Sequence, residues 1–145
     1  MKNQLLALVI CGVALSAEAF AEDKVQGPKK DTVEELDATG IARVLERGDV
    51  NKPTAITSAE ELARAIPAKE VQTRLQKTVD FTKQQILFFA WSGSGGDKLT
   101  YRLDKGATGP VVIFEYQRGL QKNLVAHVRL FAIPRNATWK VQPAR

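Results

Sequence analysis

The hydrophobic pattern of the chain changes most sharply in residues 85–103, which read QILFFAWSGSGGDKLTYRL. Residues 86–91 are apolar at every position, which predicts a central strand covered on both faces. A loop of serine and glycine follows and ends at Asp97. From Lys98 onwards apolar and polar residues alternate, which predicts a returning strand covered on one side only. The stretch therefore predicts a strand, a loop and a second strand.

Two short helices are predicted before this stretch. Ser58 and Glu61 match a capping box, in which a hydroxyl and a carboxylate satisfy the free amides of a first helical turn. Thr57 and Glu60 offer the same pairing one residue earlier. Further along, apolar residues recur every four positions among charged ones, as on one face of a helix. The predicted helices cover residues 59–66 and 69–79.

Alternating or continuous apolar runs, bounded by glycine or proline, predict the remaining strands. These lie at 41–46, 111–117, 123–133 and, more briefly, 139–141. Several strands at this spacing, joined by glycine-rich turns, are typical of an antiparallel meander that closes as a sandwich or half-barrel. The predicted fold class is α+β, with this β meander packed against the two short N-terminal helices.

The N-terminus has the layout of a secretory signal peptide. One lysine precedes an apolar run over residues 5–15, which is short for a bilayer-spanning helix, and small residues follow at cleavage spacing. Cleavage fits after Ala19 or after Ala21, and the acidic pair that follows favours Ala21. We expect an exported protein, periplasmic or extracellular, with no integral membrane segment after cleavage. The predicted organisation is a signal peptide at 1–21, a flexible leader at 22–39 and a single β-rich globular domain at 40–145.

Charge is divided unevenly along the chain. Residues 22–97 hold 11 basic and 13 acidic residues, whereas residues 98–145 hold nine basic residues and only two acidic ones. This asymmetry predicts either an anionic partner, such as an acidic envelope polymer, or a solvated sheet face whose cations discourage edge pairing. Export argues against nucleic acid as the partner.

Few residues are available to make the serine-glycine loop catalytic. Serine catalysis needs a base oriented by a carboxylate, and the chain has one histidine, His127. It could pair with Ser92 or Ser94 and be oriented by Asp97 on adjacent strands, but no nucleophile elbow enters a helix here. Cys11 is the only cysteine and would leave with the signal, so a zinc site lacks ligands. We predict no enzymatic activity, no metal and no cofactor.

Binding is the chemistry that the loop retains. Trp91 lies at its mouth, and tryptophan and arginine are favoured interface anchors. Glycines leave backbone amides uncovered, so an extended partner could pair with them. The alternative is that Trp91 covers the edge of the core while the glycines only make a wide connection. The candidate partner-binding residues are Trp91, Ser92, Ser94, Asp97, Arg102 and Arg129.

A distinctive order of parts runs from residue 57 to residue 134. It comprises the capped helix SAEELARAI, the entry VDFTK before QILFFAW, a glycine-containing loop, the strand VVIFEY and the exit IPR. This order resembles the C-terminal domain of PrcB-type proteins, exported β-rich modules associated with a secreted protease complex. The resemblance implies a domain that binds a protein partner in the cell envelope, with a protease or other hydrolase as that partner. It carries over no functional residue.

Overall fold

The computed structural model describes residues 32–42 and 48–144. The predicted signal peptide at 1–21 lies outside the described residues, as do residues 43–46 of the predicted strand at 41–46, whose first two residues form no strand. The described part contains no helix long and apolar enough to span a membrane. Its elements are, in chain order, β1 (Glu34–Leu36), β2 (Thr54–Ile56), α1 (Ala59–Ala65), α2 (Lys69–Thr78), β3 (Gln84–Ser94), β4 (Lys98–Gly106), β5 (Gly109–Gln117), β6 (Leu124–Pro134) and β7 (Thr138–Pro143).

The strands form two sheets. A four-stranded sheet has the order β1-β6-β3-β2 and is antiparallel throughout. A three-stranded sheet has the order β4-β5-β7, in which β4 and β5 are antiparallel and β5 and β7 are parallel. Two helices accompany these mostly antiparallel strands, so the predicted α+β class is confirmed.

The strand order differs from the predicted meander. β3 does not return into β4 as a hairpin but pairs along its whole length with β6, from Gln84 opposite Pro134 to Ser94 opposite Leu124. β4 begins the other sheet, where it pairs with β5. The physical reason is burial, because β3 is apolar on both faces and β6 is an equally long and largely buried partner. The serine-glycine loop therefore carries the chain from one sheet to the other.

Both predicted helices are present. α1 begins after Ser58, whose Oγ accepts a hydrogen bond from the Glu61 amide at 3.2 Å. In return, Glu61 Oε2 accepts one from the Thr57 amide at 2.7 Å. Ser58 thus caps the helix as the sequence predicts, whereas Glu61 reaches the amide of Thr57, one residue before the N-cap, and not that of Ser58 as in a regular capping box. α2 has no side-chain cap and is held instead by its buried face, which carries Val71 and Leu75.

Two apolar clusters fill the two sides of the four-stranded sheet. Alternate residues of β3 contribute to each cluster. Ile86 belongs to the cluster beneath the helices, whereas Leu87 and Phe89 belong to a second cluster with Leu99 and Phe114 of the three-stranded sheet. The prediction that this strand is covered on both faces is confirmed for residues 86–89, whereas Ala90 is exposed, and the second cluster joins the two sheets.

The globular part begins earlier than predicted. Residues 34–36, within the predicted flexible leader at 22–39, form β1 and pair with β6. Leu36 is buried in the cluster beneath the helices, and Glu35 makes an ion pair of 2.7 Å with Arg129 of β6. The strand has only three residues and one buried leucine, so its hydrophobic periodicity is too short to distinguish it from a polar leader.

Candidate functional site

The serine-glycine loop places a carboxylate inside the protein. The Asp97 side chain has no exposed surface. Its Oδ2 accepts hydrogen bonds from Trp91 Nε1 at 3.1 Å and from the Tyr116 hydroxyl at 2.8 Å, and its Oδ1 accepts one from the Gly119 amide at 2.7 Å. A buried charge is tolerated when it is paired in this way. We call these four residues, with the neighbouring His127, the Asp97 network.

The network sets the ionisation of its members. Burial alone would raise the pKa of Asp97, because it disfavours the charged form. The three hydrogen bonds, with the nearby His127, outweigh burial and hold this pKa below its ordinary value of 3.8. Burial also raises the pKa of Tyr116 to about 12, and the hydrogen bond to Asp97 acts in the same direction. At neutral pH the network therefore contains a carboxylate and a neutral phenol.

His127 joins the network through the pairing of β3 with β6. Trp91 lies directly opposite His127, and the two rings stack with centroids 4.7 Å apart and planes 13° apart. His127 Nε2 lies 2.8 Å from the carbonyl oxygen of Ser94. Because a carbonyl oxygen only accepts, this nitrogen is the donor. The same nitrogen lies 4.0 Å from Asp97 Oδ2.

This arrangement differs from the serine, histidine and aspartate pairing considered from the sequence. In a catalytic triad, one ring nitrogen faces the serine hydroxyl and the other faces the carboxylate. Here a single nitrogen of His127 faces both the Asp97 carboxylate and a backbone carbonyl. The Ser94 hydroxyl oxygen accepts instead from the Gly96 amide at 3.3 Å. The absence of enzymatic activity remains a prediction from the sequence.

Two glycines are required by close approaches around Asp97. A Cβ atom on Gly93 would lie 2.0 Å from Asp97 Oδ2. A Cβ atom on Gly119 would lie 2.3 Å from the carbonyl carbon of Gly96. Side chains do not approach other atoms so closely in a packed interior. Gly93 thus makes room for the carboxylate, and Gly119 lets the connection from β5 to β6 touch the loop.

The amides of the loop are occupied within the protein. Gly95 N donates to Asn123 Oδ1 at 3.1 Å, and Gly96 N donates to Ser94 Oγ. Asp97 N donates to the Ser94 carbonyl at 3.0 Å. The amides of Gly95 and Gly96 are therefore not uncovered, contrary to the expectation that such glycine amides pair with an extended partner. The loop therefore forms an ordered, internally hydrogen-bonded surface beside the connection from β5 to β6.

A surface groove lies beside the loop. It has a volume of about 860 Å³ and runs between residues 92–94 and residues 118–124, which lead from β5 into β6. Leu120 and Leu124 lie on its rim with 98% and 67% of their surface exposed. Arg118 also lines the groove, and Lys122 adds a second positive charge. We call this surface the rim groove.

Four of the predicted site residues lie at the groove or beneath it. Trp91 is only 5% exposed and Asp97 is buried, so both support the site from inside. Ser92 and Ser94 line the groove directly. The prediction of Trp91 as a surface anchor is therefore wrong, and its indole instead holds the carboxylate and covers the core edge.

The two predicted arginines lie outside the groove. Arg102 of β4 makes ion pairs with Asp104 and Glu115. Arg129 of β6 pairs with Glu35 of β1. The structure therefore does not gather the six predicted residues into one surface, because the arginines are distributed over the two sheets.

Sequence reasoning missed the rim and two of the five residues of the Asp97 network. Tyr116 and Gly119 read as ordinary strand and turn residues, and no local pattern links Tyr116 to an aspartate 19 positions away. Leu120 did carry a signal, because it is a single apolar residue among the polar residues of RGLQKN. Its isolation from any period of 2 or 3.6 indicated an exposed leucine.

Comparison with known proteins gives no match: no protein-family model, curated protein or solved structure corresponds to this chain. Among residues 32–42 and 48–144, no group of three histidine, cysteine, aspartate or glutamate residues could hold a metal ion. What the geometry offers is a groove with a hydrogen-bonded floor, two exposed leucines and two cations.

Proposed function

We propose that this chain is an exported, non-catalytic protein-binding domain of the cell envelope, and that the rim groove receives its partner. The observation that carries the proposal is the exposure of Leu120 and Leu124, which both line the rim groove. Covering such leucines releases water from apolar surface, which favours association. Paired exposed leucines beside a groove are typical of an interaction site, whereas a single one is ordinary surface.

The rim is held in place before a partner arrives. At one end of the connection, Gly119 N bonds to the buried Asp97. At the other end, Asn123 Oδ1 accepts from Gly95 N of the loop. A loop that is already ordered loses less conformational entropy on binding, so more of the contact energy appears as affinity.

The chemistry of the rim indicates the chemistry of the partner. Arg118 and Lys122 alternate with the apolar positions Leu120 and Leu124. A partner segment that carries both apolar and acidic residues would match this surface. The resemblance to PrcB-type domains supports a protease or other hydrolase as the protein that presents it.

A double variant, Leu120→Ser with Leu124→Ser, tests this proposal by affinity capture from the protein's own envelope extract. We expect the recovered partner to fall by at least about tenfold, as for hot-spot residues. Lys140→Ser, which shortens an exposed side chain on β7 away from the groove, is the control and should recover the partner normally. Equal recovery by the double variant and the wild type would contradict the proposal.

Binding of an anionic envelope polymer is the second candidate function. Arg102 holds both acidic residues of the C-terminal half, Asp104 and Glu115. The ion pairs found in the described part of the chain do not involve several cations of that half, namely Lys98, Lys105, Arg118, Lys122 and Lys140. Polymer binding predicts retention on a polyanion column that fades as salt screens the charges. Retention that is unaffected by salt would argue against it.

We also propose that the two sheets face each other as a sandwich. Phe114 of the three-stranded sheet packs against Phe89 and Phe131 of the four-stranded sheet, with ring centroids 4.8 and 5.0 Å apart. This supports inner faces whose side chains interdigitate. Phe114→Ala should accelerate amide exchange in β3 as well as in β5. Acceleration confined to β5 would contradict the sandwich.

A further inference from the structure

β4 forms one edge of the three-stranded sheet. Among the described strands, its nine residues pair only with β5. The register is uninterrupted from Lys98 opposite Gln117 to Gly106 opposite Gly109. The far side of β4 therefore presents a regular row of backbone amides and carbonyls, which is a template for another strand.

The hydrogen bonds of β5 show which β4 residues face outward. Ala144 N donates to the Tyr116 carbonyl at 2.9 Å, so the backbone groups of Tyr116 point toward β7. Successive residues of a strand point to opposite sides, so the neighbours of Tyr116 point toward β4. The β4 residues opposite those neighbours, Lys98 and Thr100, point back toward β5. The residues whose amides and carbonyls face outward are Leu99, Tyr101 and Leu103.

The side chains of these three residues lie on one face of β4 and form an apolar stripe, which is buried at its first residue and partly exposed further along the strand. Leu99 is buried, whereas Tyr101 and Leu103 are 40% and 42% exposed. The Tyr101 ring packs edge-on against Phe131, with centroids 5.5 Å apart, and its hydroxyl donates to the Val33 carbonyl at 3.2 Å. Tyr101 is thus fixed on its inner side. A strand added at this edge would place its own side chains beside both of them.

We propose that β4 pairs antiparallel with β4 of a second copy of this chain, about a twofold axis at Tyr101. We choose a second copy as the added strand because, in this register, β4 places residues of matching charge and polarity opposite each other. Lys98 lies opposite Asp104 of the second copy, and Leu99 lies opposite Leu103 of the second copy. Twofold symmetry repeats each pair. The inference is independent of the rim groove, which contains no β4 residue.

The charges favour this register over its neighbour. Moving the axis by one residue still pairs the outward-facing groups, but it places Arg102 opposite itself. It also places Lys105 opposite Leu99. Like charges directly opposite each other destabilise a strand pair, whereas opposite charges stabilise it. With the axis at Tyr101, two lysine–aspartate pairs form, in which each Asp104 also keeps its ion pair with Arg102 of its own chain, and Arg102 lies opposite Thr100.

The cations of β4 have a second explanation, because lysine and arginine on edge strands commonly discourage pairing. That role is best served by charges of one sign along the whole edge. β4 instead carries Asp104 at the end opposite to Lys98, although only two acidic residues follow Asp97 in the sequence. The position of this rare carboxylate is what makes the edge self-complementary.

Sedimentation velocity of the protein, purified after expression of the full chain, tests the proposal. We expect a species of twice the chain mass to grow with concentration up to ~1 mM, the range of weak association. The amides of Leu99, Tyr101 and Leu103 should become protected from exchange over the same concentrations, a readout that needs no variant. A monomer throughout, with no change in amide protection, would overturn the proposal.

A charge exchange tests the register. Lys98→Asp places two aspartates opposite each other, and Asp104→Lys places two lysines opposite each other, so each variant alone should dimerise at least about tenfold more weakly. An equal mixture of the two should regain dimerisation, because both opposing pairs are then of opposite charge. Lys140→Asp, the same change at the β7 edge of the same sheet, is the matched control. Equal weakening by Lys140→Asp and Lys98→Asp, or no recovery on mixing, would overturn the register.

Discussion

At the scale of single residues, the site depends most on the buried carboxylate of Asp97. A serine-glycine loop that ends in aspartate suggested surface chemistry. Instead, three donors from three parts of the chain converge on this side chain. Because both carboxylate oxygens are engaged, Asp97 orders the loop and the connection from β5 to β6, and with them the rim groove.

Asp97→Asn should therefore destabilise the protein. In either orientation the amide NH₂ of asparagine would face a donor, the Gly119 amide or those of Trp91 and Tyr116, and the charge that strengthens the hydrogen bonds would be lost. We expect a loss of about 3 kcal/mol in the free energy of unfolding, measured by urea denaturation. Glu34→Gln, which removes a carboxylate from the exposed side of β1, should change it by less than ~0.5 kcal/mol. Similar values for the two variants would contradict the role of Asp97.

The same carboxylate makes stability depend on acid pH. The folded-state pKa of Asp97 lies below the ordinary value of 3.8, so its ionised form stabilises the fold at pH values above 3.8. That contribution is lost as pH falls below 3.8 through the lowered folded-state pKa. The difference in stability between wild type and Asp97→Asn should shrink over this window. A difference that is constant from neutral pH to pH 2 would show that Asp97 is not ionised in the fold.

The raised pKa of Tyr116 predicts the opposite pH dependence, a loss of folding stability at alkaline pH. Its pKa is raised from 10.0 to about 12, so its neutral form stabilises the fold below pH 10, and this contribution is lost as pH rises from 10 to 12. Phenolate absorbance of the folded protein should show one tyrosine that ionises near pH 12. Tyr116→Phe should remove that late step, and a late step that persists in the variant would assign it to another group.

At the scale of elements, the glycines of the loop differ in what they do. Gly93 makes room for the Asp97 carboxylate, whereas a Cβ atom on Gly96 would meet only ordinary contacts, the nearest at 3.4 Å. The loop is therefore constrained at particular positions and is not uniformly flexible. This distinction is invisible in the sequence, where SGSGG reads as one tract.

Gly93→Ala and Gly96→Ala form a matched pair that tests this difference. We expect Gly93→Ala to lower the free energy of unfolding by about 2 kcal/mol, because the added methyl displaces the carboxylate from its donors. Gly96→Ala should change it by less than ~0.5 kcal/mol. Thermal or urea denaturation measures both. An equal effect of the two substitutions would mean that the close approach at Gly93 does not exist.

Elements with strong local patterns were predictable, and their partners were not. The capping box located α1, and the unbroken apolar run of residues 86–91 located the centre of β3. The pairing of β3 with β6 joins segments about 40 residues apart. It follows from matched burial over 11 residues of each strand, and a local stretch of sequence does not show which distant strand matches it. Trp91 and His127 were both noted as candidates, but only this register stacks them and so forms the network.

At the scale of the whole molecule, the two sheets separate the candidate surfaces. The rim groove lies where β3 and β5 end and β6 begins, and β4, whose outer edge pairs with no described strand, belongs to the three-stranded sheet. The positive C-terminal half supplies cations to both. Composition located the excess of cations in the C-terminal half, but it could not show that Arg102 pairs with both carboxylates of that half.

The central claim is that the rim groove holds a protein partner, and site-specific photocrosslinking tests it most directly. A photoreactive residue at position 120 should, in intact cells, give a covalent adduct heavier than the chain by the mass of one envelope protein. The same residue at position 140, exposed on β7, is the control and should give no such adduct. An adduct at position 120 that is reduced by Leu124→Ser is the expected result. No adduct at position 120, or the same adduct at both positions, would contradict the account.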